Sequence, residues 1–199
     1  MRMTRAEAKE RNRRALLDAA LQVVSRDGHR ARLDEIAELA GVTTGAVYSL
    51  FGSKNGLVVA VVADHLGPHY AELEQTLPRE LDLPAAVESF ARHYRRSCDA
   101  PGATAALSLQ VTLLDMAVHD ADLRIRLAES IRAQEDRLVG LFAGRAHGAG
   151  TVTADQAQRL VGALRPLFVG LTQGVVLGLA DTADEQFFAD AARALVQLV

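Results

Sequence analysis

Along most of this chain, apolar residues return every third or fourth position, the period that gives a helix one buried face. Leu16, Ala20, Val23 and Val24 form the first stripe, which Gly28 closes. Leu33, Ile36, Ala37 and Ala40 form a second, short one, with Asp34 and Glu35 in the first turn, where carboxylates suit the helix dipole. Gly41 stops that helix, because glycine takes the positive φ that ends one, and Thr43 offers an N-cap hydroxyl for the next. In the following helix, Thr44 to Leu50, Val47, Leu50 and Phe51 turn inward against Ile36 and Leu39 or Ala40. Thr44, Gly45, Tyr48 and Ser49 are left outward, a small, uncharged face. Two short helices across a sharp turn make a helix-turn-helix sized for a DNA groove.

The rest of the chain continues the period. Ser53 caps a helix from Lys54 whose stripe is Leu57, Val58, Val61 and Val62. Gly67 and Pro68 are expected to interrupt it, as a hinge or a surface kink, before a resumed helix from His69 to Leu77. Pro78 to Pro84 reads as a loop. Further helices follow from Pro84 to Cys98 (Val87, Phe90, Ala91, Tyr94), Ala103 to His119 (Leu107, Val111, Leu114 inward) and Asp122 to Phe142 (Leu123, Leu127, Ile131, Leu138). Gly144 to Gly150 is the clearest loop. Thr153 with Gln156, and Thr182 with Glu185, have the spacing of capping boxes that start the last two helices. The first carries Leu160, Leu164, Leu167, Leu171 and Val175, and the second Phe187, Ala191, Ala194, Leu195 and Leu198. Gly162, Gly170, Gly174 and Gly178 leave one face without side chains, open to a close-packed helix from a second copy or from the same chain.

Composition narrows the class. With 199 residues, 49% hydrophobic and only 5% aromatic, the chain can bury one good core or two small ones, aliphatic in character. Five prolines and no alternating β-branched runs make an all-α fold the expectation. The net charge of -3 conceals an asymmetry: residues 1–54 hold ten Lys or Arg against seven Asp or Glu, and the remainder twelve against eighteen. Phosphate contact is therefore expected at the N-terminal end, where Arg2 to Arg14 forms a basic arm, DNA-bound or simply solvated. Cys98 is the lone cysteine, which excludes an intramolecular disulfide framework and fits a reducing cytoplasm. The N-terminus lacks the apolar stretch of a secretory signal, and Pro166 to Ala180 is too short for a membrane span.

Over Arg13 to Leu57 the residues resemble the DNA-binding domain of the tetracycline-repressor (TetR) family of bacterial regulators. The resemblance rests on Leu16, Leu17, Ala19, Ala20, Gly28, Ile36–Ala37, Ala40 to Val42, Gly45, Val47, Tyr48, Phe51, Ser53, Lys54 and Leu57. It implies an all-α protein with a three-helix domain at 1–54 and a helical effector-binding and dimerisation domain at 55–199. It implies DNA contacts at Thr44, Gly45, Ala46, Tyr48, Ser49 and Lys54; Thr43, at the helix N-terminus, suits a phosphate by its dipole. Arg32 stands where the family has a capping Ser or Thr; its guanidinium is taken to replace that hydroxyl at the backbone, and Arg32 is counted among the DNA-binding residues. Leu50, Asn55 and Gly56 depart from the family's pattern, which removes a phosphate contact at Leu50. The family's two C-terminal helices form a four-helix dimer interface, here assigned to Leu167, Leu171, Gly174, Gly178, Phe187, Ala191 and Leu195.

The resemblance also implies an effector pocket, with Gln110, Arg165 and Gln173 selected as contacts from the polar residues on apolar helices. The scarcity of aromatics argues against a pocket that stacks large planar cations. The recognition helix has no Arg, Asn or Gln for bidentate base contacts, so specificity falls to thymine methyls, phosphate positioning and DNA shape. No cofactor, metal or catalytic constellation is expected: His65 and His69 have Gly67 and Pro68 between them, Cys98 reads as a buried thiol, and no serine lies in a nucleophile elbow. The expectation is a homodimeric, non-enzymatic repressor of a pseudo-palindromic operator, released by a small molecule. Its rivals are a regulator controlled by a protein partner and a small helical enzyme retaining the motif.

Overall fold

Thr4 decides where the first helix begins: its hydroxyl accepts from the Glu7 N–H, and the Glu7 carboxylate accepts in return from Thr4 N–H at 2.6 Å. This capping box starts α1 (Arg5–Asp27), so most of the basic arm is ordered helix, the T-x-x-E signal at 4–7 having been readable in advance. The computed structural model describes residues 4–199, and the side chains of all of these except 65–71 and 74–76. Arg2 and the side chains of His65 and His69 thus lie outside the described residues. The helices that follow are α2 (Leu33–Leu39), α3 (Thr44–Phe51), α4 (Lys54–Thr76), α5 (Leu83–Ser97), α6 (Ala103–His119), α7 (Ala121–Phe142), α8 (Ala154–Val176) and α9 (Glu185–Ala194). An all-α protein is the result.

Close packing groups the chain into two units, Met1–Pro68 with Ser108–Ser130, and His69–Leu107 with Ile131–Val199. This division cuts across the chain boundary at 54–55 that the resemblance implies, because the adjoining parts of α6 and α7 pack with the N-terminal helices. The first unit's core is aliphatic, as expected: Leu16, Ala20, Val23, Val24, Ile36, Ala37, Val47, Leu57, Val58 and Val61 are all buried. A fully buried leucine or valine contributes about 1.5–3 kcal/mol. Leu109, Leu113, Met116 and Ala117 form α6's buried side, whereas Val111 and Leu114, expected inward, are 53% and 45% exposed. Both sets have helical spacing, and only tertiary packing distinguishes them.

The second unit is built on α5 packed lengthwise against α9, with α8 beside both. Its centre is aromatic, contrary to the aliphatic expectation. Phe90 lies 5.3 Å from Tyr94 and Phe168 and edge-on to Phe142, and Tyr94 stacks on Phe168 at 4.8 Å. Phe188 lies nearly parallel to Phe168, with ring centroids 6.3 Å apart. The chain has few rings, but the fold concentrates them. Arg145 is buried beside this core and donates to three carbonyls, those of Leu141, Pro78 and Leu81, at 2.6–2.9 Å. It ties the loop between α4 and α5 to the end of α7.

Several expected boundaries move. α4 continues across Gly67–Pro68, since a proline removes one hydrogen bond of a helix of 23 residues and leaves the rest. Within Gly144 to Gly150, Ala146–His147 (β1) begins a two-residue antiparallel ladder with Gly150–Thr151 (β2). The Thr153–Gln156 box is present in both directions, but α9 is capped by Asp184, which accepts from Phe187 N–H at 2.8 Å. The Thr182–Glu185 box does not form, because a carboxylate two residues on takes the capping position. Gly178 is not part of α8. It has φ 67°, donates to Val175 O, and lets Leu179 N–H bond Gly174 O at 2.7 Å, the paired bonds of a left-handed helix stop.

Candidate nucleic-acid interface

The turn between α2 and α3 is made by Gly41. At φ 66° it donates to Glu38 O while Val42 N–H reaches Ala37 O, both at 3.0 Å, which closes α2 and aims the chain into α3. Val47 is fully buried and anchors α3; Leu50 and Phe51 are half-buried behind it. Leu39, expected to support them, is instead 54% exposed, so Ile36 and Ala37 are α2's buried residues. Thr43, Gly45, Tyr48 and Ser49 are exposed and Thr44 and Ala46 half-buried, which gives α3 an outward face of the expected composition.

Thr43 has the extended backbone of an N-cap, but its hydroxyl makes no capping bond. The first N–H groups of α3 therefore keep their hydrogen-bonding capacity, with the positive end of the helix dipole behind them. Arg32 is the corresponding residue at α2. It occupies the N-cap position of α2 without capping it, and its guanidinium pairs with the Asp34 carboxylate, Nε to Oδ1 at 3.1 Å. A guanidinium has donors only and cannot satisfy N–H groups, so a carboxylate is its natural partner.

Ser53 and Gly56 shape the start of α4. Gly56 N–H donates to Ser53 Oγ at 3.0 Å, and a Cβ on Gly56 would lie 2.1 Å from the carbonyl oxygen of Phe51. No other residue fits, which accounts for one departure from the family's pattern. Asn55, the other, donates to Asp120 at 2.9 Å and Asp122 at 3.0 Å, at the junction of α6 and α7. An acidic residue at position 55 would face two like charges there. Asp120 also caps α7 through Leu123 N–H, and these hydrogen bonds hold its carboxyl below the ordinary aspartate range. Lys54 is half-buried with Nζ 3.4 Å from His29 O, and desolvation lowers the pKa of its amine. The sequence held no signal for these contacts, because Asp120 and Asp122 are remote from Asn55 along the chain.

In the second unit, Arg165 stands 3.7 Å from Glu135, and Gln173 is half-buried on α8; Gln110 belongs to the first unit, on α6. An open cleft of about 470 Å³ is lined by Pro84, His147, Asp190, Arg193 and their neighbours and includes none of the three. Cys98 is buried, its Sγ 3.8 Å from Thr172 Oγ1, and burial pushes its thiol pKa up. Among the described residues no group of three or more His, Cys, Asp or Glu is placed to hold a metal ion, and no single helix is long and apolar enough to cross a membrane.

Residues 16–61 match the profile of the bacterial regulatory proteins of the tetR family. The HTH-type transcriptional regulator TtgW of Pseudomonas putida is 48% identical over 87 residues, 43% of this chain and 64% of that one. The HTH-type transcriptional activator FasR of Mycolicibacterium smegmatis is 38% identical over 85 residues, 41% of this chain and 39% of that one. The matching segment thus spans less than two thirds of either relative. Two solved structures share the fold over nearly the whole length. One is a TetR-family member from Streptomyces coelicolor A3, with TM-score 0.64 and 22% identity over 92% of this chain and 97% of that one. The other is the regulator FadR of Bacillus subtilis in complex with stearoyl-CoA, with TM-score 0.62 and 16% identity over 94% and 98%. With the helix-turn-helix in place, residues 16–61 are similar to the tetR family of bacterial regulatory proteins, and the chain as a whole shares the fold of the solved TetR-family structure.

Proposed function

We propose that the protein is a homodimeric transcriptional repressor that binds a pseudo-palindromic operator through α3 and is released by a small-molecule effector bound in its C-terminal domain. The observation that carries this reading is the outward face of α3, with Tyr48 56% exposed and the uncapped helix N-terminus at Thr43. Thr43, Thr44, Gly45, Ala46, Tyr48 and Ser49 approach the groove, and Lys54 holds a phosphate. Without Arg, Asn or Gln on that face, discrimination rests on thymine methyls met by Thr44 or Ala46, on DNA shape, and on the spacing of two half-sites.

Dimerisation is supported by two stripes on α9. Phe188, Ala189 and Ala192 are consumed by packing within the chain, while Phe187 is 51% exposed and Ala191 and Leu195 are half-buried. On α8, Leu167, Leu171 and Gly174 are half-buried in the same way, and a Cβ on Gly162 or Gly170 would meet nothing within 4 Å. Gly174 and Gly178 also have a reason within the chain, since Ala180 passes 3.1 Å from a Cβ built on Gly174.

The FadR complex with stearoyl-CoA supports a small-molecule ligand for this fold; Arg165 and Gln173 on α8 are the proposed contacts, and Gln110, in the other unit, is not joined to them in one site. Selection of bound DNA from a random pool, followed by a ligand screen for release, tests the whole reading. Thr44→Ala and Tyr48→Ala should each weaken operator binding; variants that bind like the parent would remove α3 from the interface. Reporter expression with and without the protein separates repression from activation.

A further inference from the structure

The cations of the DNA-reading unit fall into two kinds. Arg26 is held by Asp27, Nε to Oδ1 at 2.8 Å, and by Glu35; Arg32 is held by Asp34; Arg14 is held by Asp64 at 2.9 Å. A phosphate approaching any of these meets a charge already balanced. Arg30 is different. Like Arg5, Lys9 and Arg124 in the same unit, it is exposed and has no carboxylate or other side-chain partner among the described residues, and it differs from those three in standing just before α2.

Its position is also fixed by its neighbours. Gly28, at φ 56°, ends α1 and starts a single 3-10 turn, Gly28–Arg30, which Ala31 N–H closes onto Gly28 O at 3.1 Å. Ala31 is 2% exposed and pins the chain to the core immediately after Arg30. Lys54 Nζ reaches the His29 carbonyl, the group directly preceding Arg30, at 3.4 Å. Arg30 and Lys54 therefore belong to one patch, though they come from different elements. Asp120 exerts an attraction on Lys54, but its carboxylate oxygens are engaged by Asn55 and by Leu123 N–H. These are neutral donors, so Asp120 keeps its charge and offsets part of that of Lys54, while Arg30 brings a charge without a carboxylate partner to the patch beside the N-terminus of α4.

We infer that Arg30 is a second phosphate-contacting residue for duplex DNA, acting with Lys54, and that Arg32 is withheld from this role by Asp34. The inference rests on the reading of this unit as a DNA-binding one. Its test is the salt dependence of binding to a mixed-sequence duplex, which needs no knowledge of the operator. Each phosphate contact adds about 0.9 to the slope of log affinity against log salt concentration. Arg30→Gln should lower the slope by about 0.9 per protomer, and Arg30→Lys should retain it, because a phosphate needs the charge and not the guanidinium's shape. Arg79→Gln, which removes the same charge from an exposed site in the other unit, should leave the slope unchanged. Equal slopes for Arg30→Gln and the parent, or an equal loss for Arg79→Gln, would overturn the assignment while leaving the DNA-binding reading intact. A parent protein without affinity for duplex would overturn both.

Discussion

Three residues show how much of this structure rests on single positions. Gly56 has ordinary helical φ but no room for a Cβ, because Phe51 O would lie 2.1 Å from it and belongs to the backbone. Gly56→Ala should destabilise the protein by about 2–4 kcal/mol, read as a lower midpoint in denaturant unfolding. Gly41 is the opposite case: a Cβ there meets nothing within 4 Å, and the requirement is its φ of 66° alone. Gly41→Ala should cost about 1–2 kcal/mol by the same measurement, the penalty of a left-handed residue with a side chain. Nothing in the local sequence G-R-A-H marks Arg145 as a buried guanidinium. Arg145→Met keeps the stem but leaves the Leu141, Pro78 and Leu81 carbonyls unpaired, and about 2–4 kcal/mol should be lost.

At the scale of elements, helix starts were legible wherever a cap was the strongest local choice. Thr153 with Gln156 forms in both directions, while Thr182 gives way to Asp184, which stands next to the first turn and accepts from Phe187 N–H there. The junction of α6 and α7 makes an acid-sensitive element. Hydrogen bonds from Leu123 N–H and Asn55 lower the pKa of Asp120, and those from Arg126 and Asn55 lower that of Asp122. A carboxylate with a lowered folded pKa adds stability that is present in full above the ordinary aspartate value of 3.8 and is lost as pH falls from there through the folded value. Thermal unfolding followed from neutral to acid pH should therefore show a decline that is shallower in Asp120→Asn. A parallel decline in that variant would show that the junction contributes nothing. The faces of α6 and α9 were less legible, because each helix has two apolar stripes at valid spacing, and periodicity does not say which one the chain itself buries.

For the whole molecule, the second stripe on α9 carries the prediction about assembly. Phe187 and Leu195 are not needed in the folded chain's interior, so Phe187→Asp and Leu195→Asp should leave helical circular dichroism intact and convert a dimer to a monomer in light scattering. A parent protein that is already monomeric at micromolar concentration would refute the homodimer. The helices themselves, the glycine that turns α2 into α3, the buried Val47 and the outward Tyr48 are all determined by local spacing and backbone chemistry, and the sequence was sufficient for them. What tertiary structure decided is different in kind. Asn55 bridging Asp120 and Asp122, Arg145 gathering the Pro78 and Leu81 carbonyls, and five rings meeting around Phe90 and Phe168 all depend on where the chain passes itself. Most of these partners are distant along the chain, and periodicity carries no information about which distant groups a fold will bring within hydrogen-bonding or van der Waals range.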